Sequence, residues 1–248
     1  MTVTVCDSTV STVPYEYDIQ TSRGPTTVVL KTDPTGKFGA GQGATVWDSA
    51  LCLAKYIEKR AKREPHILHG ARVIEIGSGT GLVGLVFAAL GGGSSESVTL
   101  TDTPNALRLL RRNVDHMAKV LKDQGLALPA LSSAALTWGS ENDATALRSS
   151  DPQPPTHVLV SDCLYVPSLY SALLGTLDAV CGPETTVWIA YEKRDFPAEM
   201  EFWKSFGERF RFSNIPEAEQ DEMYRSEDIF LFEARRRSSP KHNGENSR

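Results

Sequence analysis

The chain has 248 residues, 40% of them hydrophobic, with 31 acidic against 26 basic side chains and a formal net charge of -5. That length supports a single domain with a substantial buried core and short additions at its ends. The acidic balance excludes a general attraction to nucleic acid or anionic membrane, and no stretch reaches the roughly 18 apolar residues of a membrane helix.

Met1–Val10 lacks the charged and apolar regions of a secretory leader, so a cytoplasmic or nuclear location is expected. Cys6, Cys52, Cys163 and Cys181 are far apart and form no C-x-x-C, which suits buried thiols in a reducing compartment. His66 and His69 have no nearby Cys and are spaced for a loop, so they read as surface residues rather than zinc ligands, and no metal site is expected. The basic cluster Lys59–Arg63 reads as a solvated helix face.

Residues 1–44 read as a tail and appendage, with a strand at Thr26–Lys31 and a Gly-rich connector at Gly36–Gly43. Thr45-Val46-Trp47-Asp48 has the form of a capping box and predicts a helix starting at Thr45. Trp47, Ala50, Leu51, Ala54 and Ile57 share one face of that helix, and Trp47 is either core or a ring beside a ligand.

The stretch Arg72–Gly84 carries the strongest local pattern in the chain. Val73, Ile74 and Ile76 form the short apolar run of a central parallel strand, a turn rich in glycine succeeds it, and Leu82–Leu90 continues as a helix. Glu75 is the polar exception, a carboxylate that needs partners in the Gly turn or on a ligand. From here strands and helices alternate, predicting βαβ units and a parallel sheet. Strands are expected at Ser97–Thr101, Leu131–Leu136, His157–Ser161 and Thr185–Tyr191, with helices opening at Pro104, Pro167 and Pro197. Ser149–Thr156 reads as a Pro-rich loop, and strands at Arg209–Ile215 and Ile229–Ala234 as an antiparallel edge. In such a sheet ligands sit beyond the carboxyl ends of the strands, where Gly77, Asp102 and Asp162 all fall.

The window Gly79–Gly84 satisfies the dinucleotide pattern G-x-G-x-x-G, but its register begins two residues late, because Gly77 already closes the strand. The register favours E-x-G-x-G-x-G over Glu75, Gly77, Gly79 and Gly81, which resembles the first motif of methyltransferases dependent on S-adenosylmethionine. Asp102, placed 25 residues after Gly77, then suits a ribose diol.

Together with Val46–Glu58, Thr101-Asp102, Leu136–Gly139, Asp162-Cys163-Leu164-Tyr165 and Tyr191–Arg194, this motif resembles the methyltransferase-like 21 family of protein-lysine methyltransferases. The resemblance implies an α/β, Rossmann-like fold whose mostly parallel seven-stranded sheet has helices on both faces. The chain reads as a tail and appendage (1–44), a methyltransferase domain (45–235) and a polar tail expected to be disordered (236–248), the resemblance spanning about Gly41 to Arg236. That resemblance implies a monomeric enzyme acting on lysine of a protein, with S-adenosylmethionine as cofactor. Trp47, Glu75, Gly77, Gly79, Gly81, Asp102, Trp138 and Asp162 are expected to bind that cofactor. Asp162, Tyr165 and Tyr191 are the catalytic candidates: the carboxylate holds the amine, takes its proton or contacts the cofactor, and the two rings face the cationic amine. Tyr191 reads equally well as core packing. Asp221–Ile229 further resembles a segment of a family member that modifies the AAA ATPase valosin-containing protein, which implies such an ATPase as substrate. Translation elongation factors, and a catalytically silent module that only binds cofactor, are the alternatives.

Overall fold

The computed structural model describes residues 12–36 and 39–237; Met1–Val10, Cys6, part of the Gly-rich connector and the tail from residue 238 lie outside them. The apolar run around Val73 and Ile76 becomes β3 (Arg72–Ile76), a central strand of a seven-stranded sheet. It is flanked by β4 (Ser97–Asp102) and β6 (His157–Ser161), both parallel to it. Outward from β4 lies β5 (Ala130–Ala135), and outward from β6 lie β7 (Thr186–Glu192), β9 (Ile229–Arg236) and β8 (Phe210–Asn214), the last two antiparallel as expected. The order β5-β4-β3-β6-β7-β9-β8 puts its reversal between β3 and β6, where the first crevice for a ligand opens.

One face of the sheet is covered by α1 (Asp48–Arg63), α2 (Leu82–Gly91) and α3 (Leu107–Asp123). The other carries α4 (Glu141–Ser150), α5 (Tyr170–Val180) and α6 (Phe196–Arg209). Among the described residues no helix is long and apolar enough to cross a membrane. Cys52, Cys163 and Cys181 are buried free thiols, and His66 and His69 are exposed.

Several elements differ from the sequence expectations, each for a physical reason. Residues expected to be tail form β1 (Val13–Thr21), paired along its length with β2 (Gly24–Thr32). Tyr17, Ile19, Val28 and Leu30 of this hairpin are buried in the same core as α2 and α3. Buried Asn113 of α3 ties it down: its Oδ1 accepts from the Lys31 N–H, and its amide donates to the carbonyls of Lys31 and Thr80. Helix α1 starts at Asp48 without a side-chain cap, because Thr45 is extended and the preceding 3-10 turn is pinned by the Asp33 N–H to Ala44 carbonyl bond. The unforeseen α4 begins where the Ser140 hydroxyl accepts from the Asp143 N–H, and it buries only Ala144 and Leu147. Helix α3 opens at Leu107, after a turn in which the Ala106 N–H reaches the Thr103 carbonyl. The basic cluster on α1 is engaged rather than solvated: Lys59 donates to the carbonyls of Ala218 and Gln220, and Arg60 and Arg63 pair with Glu219.

Candidate active site

At the carboxyl ends of β3, β4 and β6 a cleft of about 430 Å³ opens, within the size range of small-molecule sites. Trp47, Glu75, Gly77, Gly79, Asp102, Trp138, Asp162 and Tyr165, all singled out from sequence, line it. The turn after β3 is built for close approach. Gly77 has φ 65°, and a Cβ there would lie 2.6 Å from the Cys163 sulfur and 3.1 Å from the Trp138 ring. Gly79 has φ 54°, and a Cβ there would meet the Gly43 carbonyl oxygen at 3.0 Å, so the connector before α1 lies directly on the loop. Gly81, also of the motif, stands outside the lining and serves as the residue from which α2 departs.

Two carboxylates look into this cradle. Glu75 is 1% exposed; its Oε2 accepts from the Gly84 N–H at 3.0 Å and its Oε1 has no partner among the described residues. Burial pushes its carboxyl up to about 8, against a smaller lowering by the Gly84 bond. Asp102 ends β4 with Oδ2 on the Gly79 N–H (2.8 Å) and Oδ1 on both the N–H (2.7 Å) and the hydroxyl (3.3 Å) of Thr103, which fixes its plane and leaves a lone pair on Oδ2. Burial raises its carboxyl above the usual carboxylate range, and those backbone bonds offset part of the rise.

On the far wall, Trp138 meets Tyr165 edge-on at 6.4 Å. The Tyr165 ring is 42% exposed, at the mouth of the cleft. Trp47, also in the lining, donates its indole N–H to the Gln42 carbonyl at 3.0 Å. Asp162 adopts φ 54°, the one left-handed non-glycine backbone among the described residues, anchored by its N–H to the Ala190 carbonyl. That turn aims its carboxylate at Arg194, which pairs with it through Nη1 to Oδ1 at 2.7 Å and Nη2 to Oδ2 at 2.8 Å. Arg194 also bonds Glu192 Oε2 at 2.7 Å, and its guanidinium carbon lies 5.7 Å from the Trp47 ring centroid.

Tyr191 is not brought to the cleft. It is buried on β7 against the other sheet face, 5.4 Å from Trp203 and stacked on Phe230 at 5.7 Å, where the β7–β9 register pairs the two residues. These surroundings are those of core packing, one of the two readings that its sequence allows, and Tyr191 is not among the residues lining the cleft. Arg194 was missed as a site residue: it lies in the Tyr191–Arg194 motif, but nothing in sequence linked it to Asp162. Gly43 and Leu169 of the lining were likewise missed, although the flexible Gly-rich connector was a signal for the first.

A family model described as lysine methyltransferase matches residues 31–209. The chain belongs to that family. EEF1A lysine methyltransferase 3 of Xenopus tropicalis is 33% identical over 190 residues, covering 76% of this chain and 75% of that protein. Protein N-lysine methyltransferase METTL21A of Danio rerio is 32% identical over 175 residues, covering 71% and 72%. Among solved structures, the glycopeptide N-methyltransferase MtfA complexed with sinefungin has a TM-score of 0.51 at 11% identity, covering 74% of this chain and 93% of that one, a likeness of fold alone.

The chain is therefore a protein-lysine methyltransferase, an activity whose methyl donor is S-adenosylmethionine. The cleft fits such a donor by its own chemistry. It offers a glycine cradle that a Cβ would fill, a buried carboxylate oxygen without a partner, a second carboxylate with a free lone pair on Oδ2, and aromatic walls for an adenosyl group. The expected kinship with the methyltransferase of a AAA ATPase is replaced by relatives named for EEF1A. The segment behind that expectation is held by its own packing: the Tyr224 ring lies against the α1 core, its carbonyl accepts from the Cys52 thiol at 2.6 Å, and the Lys193 N–H donates to the Asp228 carbonyl.

Proposed function

We propose that this enzyme transfers methyl groups from S-adenosylmethionine to a lysine of the translation elongation factor EEF1A. The observation that carries the reading is the 33% identity to EEF1A lysine methyltransferase 3 of Xenopus tropicalis over three quarters of both chains, together with 36% identity to the mouse protein over 162 residues. The AAA ATPase is the weaker candidate, since it rested on Asp221–Ile229 alone, and Glu219 in the acidic run before that segment is committed to Arg60 and Arg63.

The donor supplies an electrophilic methyl on a sulfonium, and the rest of the task falls to the chain. Gly77 and Gly79 would let the backbone approach the cofactor, Asp102 would accept from the ribose hydroxyls, Trp47 and Trp138 would offer ring faces to the adenosyl group, and Glu75 would accept at the inner end. A lysine ammonium has no lone pair, and with a reference pKa near 10.4 only about one in 2,500 is neutral at pH 7, a deficit of roughly 4.6 kcal/mol. Tyr165, exposed at the mouth, offers a ring face that would hold the lysine chain at the opening, and the enclosed walls behind it would favour the neutral amine by desolvation. Asp162 acts as a positioning residue: with both oxygens on the Arg194 guanidinium, it shapes the mouth and leaves the amine's proton to solvent.

The test is to incubate purified EEF1A and purified AAA ATPase separately with the enzyme and labelled S-adenosylmethionine, then map the label by peptide mass analysis. Methyllysine in EEF1A is expected. Labelling of the ATPase alone would overturn the reading.

A further inference from the structure

Six large apolar side chains are exposed among the described residues, and four of them are Tyr165 (42%), Leu169 (38%), Phe196 (61%) and Met200 (50%). Scattered exposure is ordinary, but these four fall in the two segments that leave the carboxyl ends of β6 and β7. The segments are neighbours because α5 and α6 pack together, with Tyr170 edge-on to Phe202 at 5.5 Å. Between those helices runs a groove of about 580 Å³, with Pro167, Leu174, Pro197 and Phe202 among its walls.

We propose that this rim and groove form the docking surface for the protein substrate, receiving apolar side chains next to the acceptor lysine. The occupant follows from continuity. Tyr165 and Leu169 line the cofactor cleft, Pro167 between them lines the groove, and Pro197, next to Phe196, forms its other wall, so a substrate segment whose lysine enters the cleft can continue into the groove beside Phe196 and Met200. The platform is also rigid before anything binds. Asp195 caps α6 by accepting from the Ala198 N–H, and buried Glu199 Oε1 accepts from the N–H groups of Arg194 (2.7 Å) and Asp195 (2.8 Å). With the backbone already fixed, contact costs side-chain freedom alone, which lowers the ordering cost of binding.

The inference rests on the acceptor lysine being carried by a protein, and does not depend on that protein being EEF1A. The test is the double variant Phe196→Ser with Met200→Ser, whose positions are exposed and outside the cleft lining. Calorimetry should show S-adenosylmethionine affinity unchanged, and steady-state kinetics on purified EEF1A should show KM raised about tenfold with kcat within twofold. If the wild-type enzyme leaves EEF1A unlabelled, the substrate proposal fails, and the two enzymes are compared on the protein that the wild type does label in cell extract. A KM within twofold of wild type overturns the docking surface. So does light scattering that finds a wild-type dimer dissociated by the two substitutions, which would make the rim a contact between copies of this chain.

Discussion

Replacing Arg194 by Met keeps much of the side chain's length and removes the guanidinium from Asp162. Asp162 is 8% exposed, and its remaining partner would be the Glu192 N–H at 3.5 Å, the limit of a hydrogen bond. Removing one member of a fully buried pair costs about 3–5 kcal/mol. Arg194 is about a third exposed, so water can follow the lost guanidinium in from the mouth, and the expected cost falls to about 2 kcal/mol. For a domain of this size that lowers Tm by roughly 4–8 °C. Asp162→Asn alone leaves Arg194 its bond to Glu192 and access to solvent, so about 1 kcal/mol is expected. The two losses come from one interaction, so denaturant unfolding of both single variants and the double should give a coupling energy of about 1 kcal/mol or more. Losses that add to within about 0.3 kcal/mol would show that the pair contributes nothing as a unit, and would remove the basis for treating Asp162 as a positioning residue.

Asp102→Ala should weaken S-adenosylmethionine binding by about a hundredfold, the loss of two charge-assisted hydrogen bonds at about 1.5 kcal/mol each; an unchanged dissociation constant by calorimetry in a folded variant would refute the ribose role. Glu75 is protonated at neutral pH when burial lifts its carboxyl to about 8, and a cationic donor beside it favours the carboxylate, so binding at pH 7 should release a proton. Calorimetry in buffers of different ionisation enthalpy reads that release directly, and equal heats after buffer correction would contradict it. In the free protein the raised Glu75 pKa contributes stability that is fully present below about 4.5 and is lost as pH rises through about 8. Glu75→Gln should therefore flatten the decline in urea midpoint between pH 5 and 8, and a decline of equal slope in both proteins would show that Glu75 is not its source.

Much of the cleft was legible because its residues belong to short local patterns. The apolar strand, the glycine turn and the acid at the next strand end carry their geometry with them, so Gly77, Gly79 and Asp102 converge once the sheet is parallel. What the sequence left open depended on contacts distant in sequence. Tyr191 and Tyr165 look alike as aromatic residues near strand ends, yet the antiparallel pairing of β7 with β9 sets Tyr191 against Phe230, a partner no local pattern names. Arg194 acquires its partner because Asp162 takes a left-handed backbone that turns its carboxylate away from the strand line. The α4 helix escaped because two buried side chains in ten residues give almost no periodic signal. With β1 the alternation of Tyr15, Tyr17 and Ile19 is present in the sequence but reads as tail without its partner strand, although its inward residues complete the core over α2.

The most direct test of the central claim is amino-acid analysis of the acceptor protein after incubation with S-adenosylmethionine carrying a tritiated methyl group, run in parallel with wild-type enzyme and Asp102→Ala. The label should elute as methyllysine with wild type and fall at least tenfold with the variant at limiting cofactor. Label on another side chain, or equal methyllysine from a folded Asp102→Ala protein, would contradict the assignment of the Gly77–Asp102 cleft as the site of lysine methylation.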